Sequence, residues 1–393
     1  MKVLMIGNGI AALSAAESFR KFNTEAEVLI LSTDQYPTYY RLKLSHYLAK
    51  DGFTDEELYV KPESWYRDKG IAVRLNTTIK AVDFEGRAVT TAAGERIPYD
   101  RLLLATGAHP FVPPVSGSDK QGVFTLRHLE DLKAIHHWLR DRQRVVVIGG
   151  GLLGLEAAHG LRELGRQVNV LEFFDYLLPR QLDAELSAVV QEQLEAEGLG
   201  FTLGTSCEEI LGDEAVTGVR LKNGEILEAD AVIFSAGVRP NTGLFAGTSL
   251  AVDRGIVVND RMETNLPGVF AAGDAVQYQG TVFGLWTASN EQGKIAGANL
   301  AGEDLRYSAP QLVATLNIGQ VKLFSAGDVS EPEMTATHRA EGAFHRLFIK
   351  GGRVTGAALT GDLSLMLKAK NLVLEKRAVD AGAENLFAAL MGL

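Results

Sequence analysis

The stretch VVVIGGGLLGLEAAHGLRELGRQVNVLEFFD, residues 145–175, decides the fold. Val145–Ile148 reads as a buried strand, the glycines that follow as a turn, Leu152–Leu164 as a helix and Val168–Leu171 as a second strand ending at Glu172. Gly149-Gly150-Gly151-Leu152-Leu153-Gly154 fits the pattern G-x-G-x-x-G. Such a turn aims the free N–H groups of a helix N-terminus at a dinucleotide pyrophosphate, and an acid about 20 residues on meets the ribose hydroxyls. Glu172 lies 18 residues after Gly154. A carboxylate there favours the free hydroxyls of NADH and repels the extra phosphate of NADPH. The next residues, FFDYLL, offer no arginine for that phosphate, so NADH is expected.

The chain opens with the same pattern, KVLMIGNGIAALSAAESF, residues 2–19, placed 142 residues earlier. Val3–Ile6 and Val28–Leu31 read as strands and Ala11–Lys21 as the helix between them. Gly7, Gly9 and Ala12 fill the small-residue positions, and Asp34 follows Ala12 by 22 residues. One glycine pattern can be purely structural. Two, each set between strand and helix and each followed by an acid, point to two dinucleotides on one chain.

Length and composition bound the rest. At 393 residues two or three domains are expected. A net charge of −10 without a basic stripe argues against a nucleic-acid partner. The single cysteine, Cys207, excludes an internal disulfide and any cysteine-built zinc or iron–sulfur site; no metal is expected, and a reducing cytoplasm is. The first strand starts at Val3, which leaves no room for a leader, and no apolar run approaches the ~18–20 residues of a membrane span. The proline-rich HPFVPPVSGS, residues 109–118, reads as a linker. Asp183–Glu197 and residues 286–300 read as helices, and Gly351–Gly352 as a hairpin turn.

Five motifs in order, GNGIAA, LLLATGA, GGGLLGLE, AGVRPN and GVFAAGDA, make nearly the whole chain resemble the two-dinucleotide-binding flavoproteins, the family of glutathione reductase, NADH oxidases and rubredoxin reductases. The resemblance implies an α/β fold: two Rossmann-like dinucleotide-binding domains of the glutathione-reductase kind plus a small α+β C-terminal domain. It implies an FAD domain from residues 1–110 and 241–306, an NADH domain from 111–240 and an interface domain from 307–393. FAD would meet Gly7, Gly9, Ala12, Asp34, Arg41, Ile79, Thr106, Gly107, Asp274 and Trp286. NADH would meet Gly149, Gly151, Gly154, Glu156, Glu172 and Gly237, and Glu156 and Arg41 would serve catalysis beside the flavin.

The segment YYRLKLSHYL, residues 39–48, is similar to the Y-x-[RK]-x-x-L-S pattern of rubredoxin reductases and of the flavin module of NADH-dependent nitrite reductases. Ser45 stands in the region where disulfide reductases and NADH oxidases carry cysteine, and Cys207 is far off. With no thiol relay, electrons are expected to pass from NADH through FAD to a small one-electron protein such as rubredoxin. A peroxide-forming NADH oxidase, an electron-transfer component for a nitrite reductase, and an NADH sensor of the apoptosis-inducing-factor type are the rivals. The cysteine-rich sirohaem domains of nitrite reductases are absent from the sequence, so nitrite reduction by the chain alone is not expected. His46, where ferredoxin-directed relatives often carry lysine, receives no role, and monomer or homodimer is left open.

Overall fold

Val3, Leu4, Met5 and Ile6 are buried one after another, as in a strand flanked by parallel neighbours and covered on both faces. A computed structural model describes residues 1–50, 52–310, 312–379 and 385–392. The chain forms two compact units. The first holds Met1–Lys43, Gly52–Pro110 and Gly237–Pro310; the second holds Leu44–Asp51, Phe111–Ala236 and Gln311–Leu393.

In the first unit β1 (Lys2–Ile6), α1 (Ile10–Phe22) and β2 (Glu27–Leu31) form the expected strand–helix–strand. The parallel sheet runs Ile71–Arg74, β2, β1, Arg101–Leu104, Val269–Ala271. An antiparallel meander, Ile79–Asp83, Ala88–Thr91 and Arg96–Pro98, leads back to it. In the second unit β3 (Arg144–Ile148), α2 (Leu152–Glu163) and β4 (Gln167–Leu171) repeat the arrangement. That parallel sheet runs Gly200–Thr202, β4, β3, Ala231–Phe234, Val123–Thr125. Its meander is Cys207–Leu211, Gly218–Leu221 and Ile226–Glu228. The repeat visible in sequence only as one strand–helix–strand thus extends through the meander and the returning strand.

Residues 109–118 are not all linker. Ala108–Pro110 pairs antiparallel with Val238–Pro240, at the two points where the chain leaves and re-enters the first unit. Each strand of this two-stranded ribbon keeps an open edge, where a proline costs no ladder bond.

The helix Trp286–Ala301, longer by one residue than its sequence pattern suggests, packs on α1 through glycine. A Cβ on Gly293 would lie 2.3 Å from the Ala11 carbonyl oxygen, and one on Gly297 2.1 Å from that of Ala15. The two helix backbones therefore touch, and the Ser14 hydroxyl donates to Asn290 Oδ1 at 2.6 Å.

Within the second unit, residues from Val313 to Thr360 form a five-stranded antiparallel sheet with the expected hairpin at Gly351–Gly352, followed by the helices Met366–Leu374 and Leu386–Met391. Arg346 of this sheet pairs with Asp183 and Glu185 at the start of the helix Ala184–Ala196, and the Ser325 hydroxyl donates to the Gln181 carbonyl at 2.8 Å. Asp183 also caps that helix, accepting from the Leu186 N–H. Among the described residues no helix is long and apolar enough to cross a membrane.

The helix contact makes a direct test. Gly297→Val should lower unfolding stability by about 2–3 kcal/mol, because a packed backbone has nowhere to move. Thermal or denaturant unfolding of the variant checks it.

Candidate functional site

The two turns divide their glycines by purpose. Gly7 has φ +107° and Gly149 φ +121°, a region that favours glycine. A Cβ on Gly7 would lie 2.0 Å from the Ala105 oxygen, and one on Gly149 2.5 Å from the Ser235 oxygen. The fold itself requires both. Gly9 and Gly151 are different. Their backbones are extended, φ −87° and −81°, open to any residue. A Cβ on either would meet nothing within 4 Å. No contact of the protein demands glycine there, so what the missing side chain keeps clear is space for something that is not protein.

That space lies at helix N-termini. Gly9 and Gly151 are the N-caps of α1 and α2; neither helix has a side-chain cap or an acid in its first turn. The uncapped N–H groups and the positive end of the helix dipole fit a pyrophosphate. Ala12 is fully buried, whereas a Cβ on Gly154 would lie 1.9 Å from the Gly149 oxygen, so the second turn is the tighter.

The two acids are not counterparts. The N–H of Gly7 donates to Leu31 O and that of Gly149 to Leu171 O, so the residue in register with Glu172 is Ser32. Asp34 stands two residues further on. Glu172, 8% exposed, accepts from the Gly150 N–H at 2.5 Å and the Phe174 N–H at 3.0 Å, and so holds its own turn closed. Asp34 accepts from Arg41 at 3.1 Å and from the Tyr39 hydroxyl at 3.3 Å, and its N–H donates to Ser32 Oγ. The N–H groups of Asn76 and Thr77 donate to the carbonyls of Asp34 and Ser32, which brings the approach to Ile79 alongside. Asp34, Arg41 and the Ile79 segment therefore gather at one end of the first sheet.

Other expected residues collect around the same unit. The Thr106 hydroxyl donates to the Asn241 carbonyl, and the Asn241 side chain donates back to the Thr106 carbonyl, both at 2.8 Å. Asn241, last residue of AGVRPN, thus clamps the ATG loop, a role the motif could have signalled. Gly107 and Gly237 both have positive φ with open space at the Cβ position. Asp274 accepts from the Ser289 hydroxyl at 2.9 Å. Trp286 is half-buried and stacks on Tyr40 with ring centres 5.6 Å apart, so it is not a core residue.

Glu156 lies in the second unit, one turn into α2. The short helix Leu44–Tyr47 packs on α2 at Gly160, where a Cβ would lie 2.7 Å from the Ser45 carbonyl oxygen. The Ser45 hydroxyl donates to Glu156 Oε2 at 2.9 Å. Burial raises the Glu156 carboxyl above its usual range, while the Ser45 bond and the charge of His46 pull it down. The ionisable side chain that acts on Glu156 from that segment is thus His46, to which the sequence pattern gave no role. Cys207 is buried and burial pushes its thiol up to about 11, the state of an inert packed cysteine.

Residues 1–293 match the sequence pattern of the pyridine nucleotide-disulphide oxidoreductases, and residues 313–377 that of the rubredoxin NAD+ reductase C-terminal domain. A nitrite reductase (NAD(P)H) of Bacillus subtilis is 36% identical over 370 residues, 92% of this chain and 46% of that protein. The assimilatory nitrate reductase electron transfer subunit of the same organism is 32% identical over 96% of this chain and 51% of its own length. The chain spans about half the length of these curated relatives. Among solved structures, NADH:rubredoxin oxidoreductase from Clostridium acetobutylicum matches with a TM-score of 0.88 at 28% identity, over 100% of this chain and 99% of that one.

The division of glycines predicts opposite outcomes at neighbouring positions. Without added dinucleotide, Gly9→Ser should unfold within about 0.5 kcal/mol of the wild type, since serine is as good an N-cap. Gly7→Ser should lose about 1–3 kcal/mol or fail to fold, from the left-handed backbone alone. Urea unfolding of the two apoproteins compares them.

Proposed function

This chain belongs to the pyridine nucleotide-disulphide oxidoreductase family, and on that premise we propose that it is an FAD-dependent NADH oxidoreductase that passes electrons to a small one-electron carrier protein, with rubredoxin as the acceptor. The observation that carries the proposal is the pair of open glycines, Gly9 and Gly151, each before an uncapped helix. Two such places suit two dinucleotides, which is what an enzyme moving electrons from one to the other requires.

FAD is assigned to the first turn. Gly7, Gly9 and Ala12 take its pyrophosphate, and Asp34 with Arg41 and the Ile79 segment takes the adenosine side. Thr106, Gly107, Asp274 and Trp286 take the remainder. NADH is assigned to the second turn, with Gly149, Gly151 and Gly154 at its pyrophosphate, Glu172 at its adenosine ribose, and Glu156 and Gly237 towards the nicotinamide. The domains follow: residues 1–110 and 241–306 for FAD, 111–240 for NADH, and 307–393 for the interface with a partner. When bound, FAD would supply the hydride-accepting and one-electron chemistry that joins NADH to such an acceptor. The protein contributes position and charge: the glycine turns fix the two pyrophosphates, Glu156 offers a half-buried carboxylate, and Arg41 a cation near the flavin.

A relay through sulfur has no support, since the segment around Ser45 holds no cysteine and Cys207 is buried with a raised thiol. A protein acceptor is supported by the C-terminal match to rubredoxin NAD+ reductases. The likeness to nitrite and nitrate reductases supports a second reading, in which the same NADH-to-FAD half feeds a separate reductase. A cytoplasmic place of action is part of the proposal.

Anaerobic stopped-flow decides between acceptors. Rubredoxin should reoxidise the NADH-reduced protein faster than air does, and Cys207→Ser should leave that rate near wild type. Slower reoxidation by rubredoxin than by oxygen would favour the oxidase reading. Glu172→Gln should weaken NADH binding by about tenfold, the loss of one charged hydrogen bond, and remove the preference over NADPH. The Michaelis constants for the two nucleotides measure both effects.

A further inference from the structure

We propose that Ser45 is the positioning residue for Glu156: its hydroxyl holds the carboxyl group in one orientation. The inference rests on the reading above, in which Glu156 lies beside the reacting rings. Ser45 itself is 5% exposed, between Leu44 and Leu48, which are buried and anchor the segment. A carboxylate can only accept, so the 2.9 Å contact fixes the serine proton on Glu156 Oε2. The serine oxygen then turns its lone pairs elsewhere, and His46 Nδ1 lies 3.5 Å away. That distance is long for a bond, so His46 acts mainly through charge. His46 is the ionisable group of this segment that acts on Glu156. On α2 itself His159, one turn on, is taken up by Glu163 and Glu197.

The approach is built rather than incidental. Gly160 lies one turn beyond Glu156 on the same helix face, and any side chain there would push the Ser45 backbone away. The chain thus keeps a glycine at Gly160 to bring a serine within bonding distance of Glu156. The sign of the effect follows. Burial already favours the protonated carboxyl, and the Ser45 donor opposes it. Removing the donor leaves burial unopposed except by His46, so Glu156 should take up its proton at higher pH.

The test uses protein labelled with carbon-13 at the glutamate carboxyl, the Glu156 signal being assigned by its loss in Glu156→Gln. In Ser45→Ala the Glu156 titration midpoint should rise by about one unit, the worth of a hydrogen bond to a charged group. Ser45→Cys, a weaker donor of similar shape, should shift it the same way. Ser45→Thr should restore the wild-type midpoint. In anaerobic stopped-flow the acidic limb of flavin reduction by NADH should move with the titration, with bound FAD unchanged. A Ser45→Ala titration that superimposes on the wild type overturns the proposal. Wild-type protein that holds FAD but is not bleached by NADH overturns the functional reading instead, and the carboxyl titration still decides the role of Ser45.

Discussion

The Gly7 N–H bonds to the Leu31 carbonyl while the Gly7 backbone takes a left-handed turn against the Ala105 oxygen, and Gly149 does the same with Leu171 and Ser235. That single arrangement sends the chain off the end of a central strand straight into a helix. The helix N-terminus is then left with no side-chain cap and no acid in its own first turn. Everything assigned to cofactor binding follows from it. Neighbouring strands end at the same level, so their loops deliver Asp34, Thr106 and Asp274 around the first turn, and Glu172 beside the second. Ligands of open parallel sheets gather at the carboxyl ends of strands for this reason.

Much of this was legible in the sequence. Val3–Ile6 and Val145–Ile148 are apolar runs bounded by glycine, and α1 and α2 begin where the glycine pattern says they must. What escaped was decided by contacts between distant residues. Ser32, not Asp34, is in register with Glu172 because Leu31 pairs with Ile6 as Leu171 pairs with Ile148, and counting residues cannot see register. Ser45 and Glu156 are 111 residues apart, and neither carries a local sign of the other. Arg346 reaches Asp183 across 163 residues, which ties the C-terminal sheet to the helix Ala184–Ala196. The repeat of the whole half was invisible because the meanders share a strand pattern but few residue identities.

The absence of sulfur chemistry shapes the functional reading more than any single site. A family named for disulphide oxidation is represented here by a chain with one cysteine, buried in a strand and poorly ionised. In its place the segment 44–50 brings a hydroxyl to Glu156. A serine cannot carry electrons, but it can hold a carboxylate. Under the proposed function this segment holds a carboxyl group and carries no electrons, which leaves an outside protein to take them.

The central claim is that the two glycine turns hold different nucleotides and work in series. Gly151→Val tests it most directly, since a Cβ at that position meets no protein atom within 4 Å and the side chain enters the space reserved at the second turn. The account predicts a yellow protein with a full complement of FAD that dithionite bleaches and NADH does not. Loss of FAD from that variant, or bleaching by NADH at the wild-type rate, would contradict the assignment of the two turns.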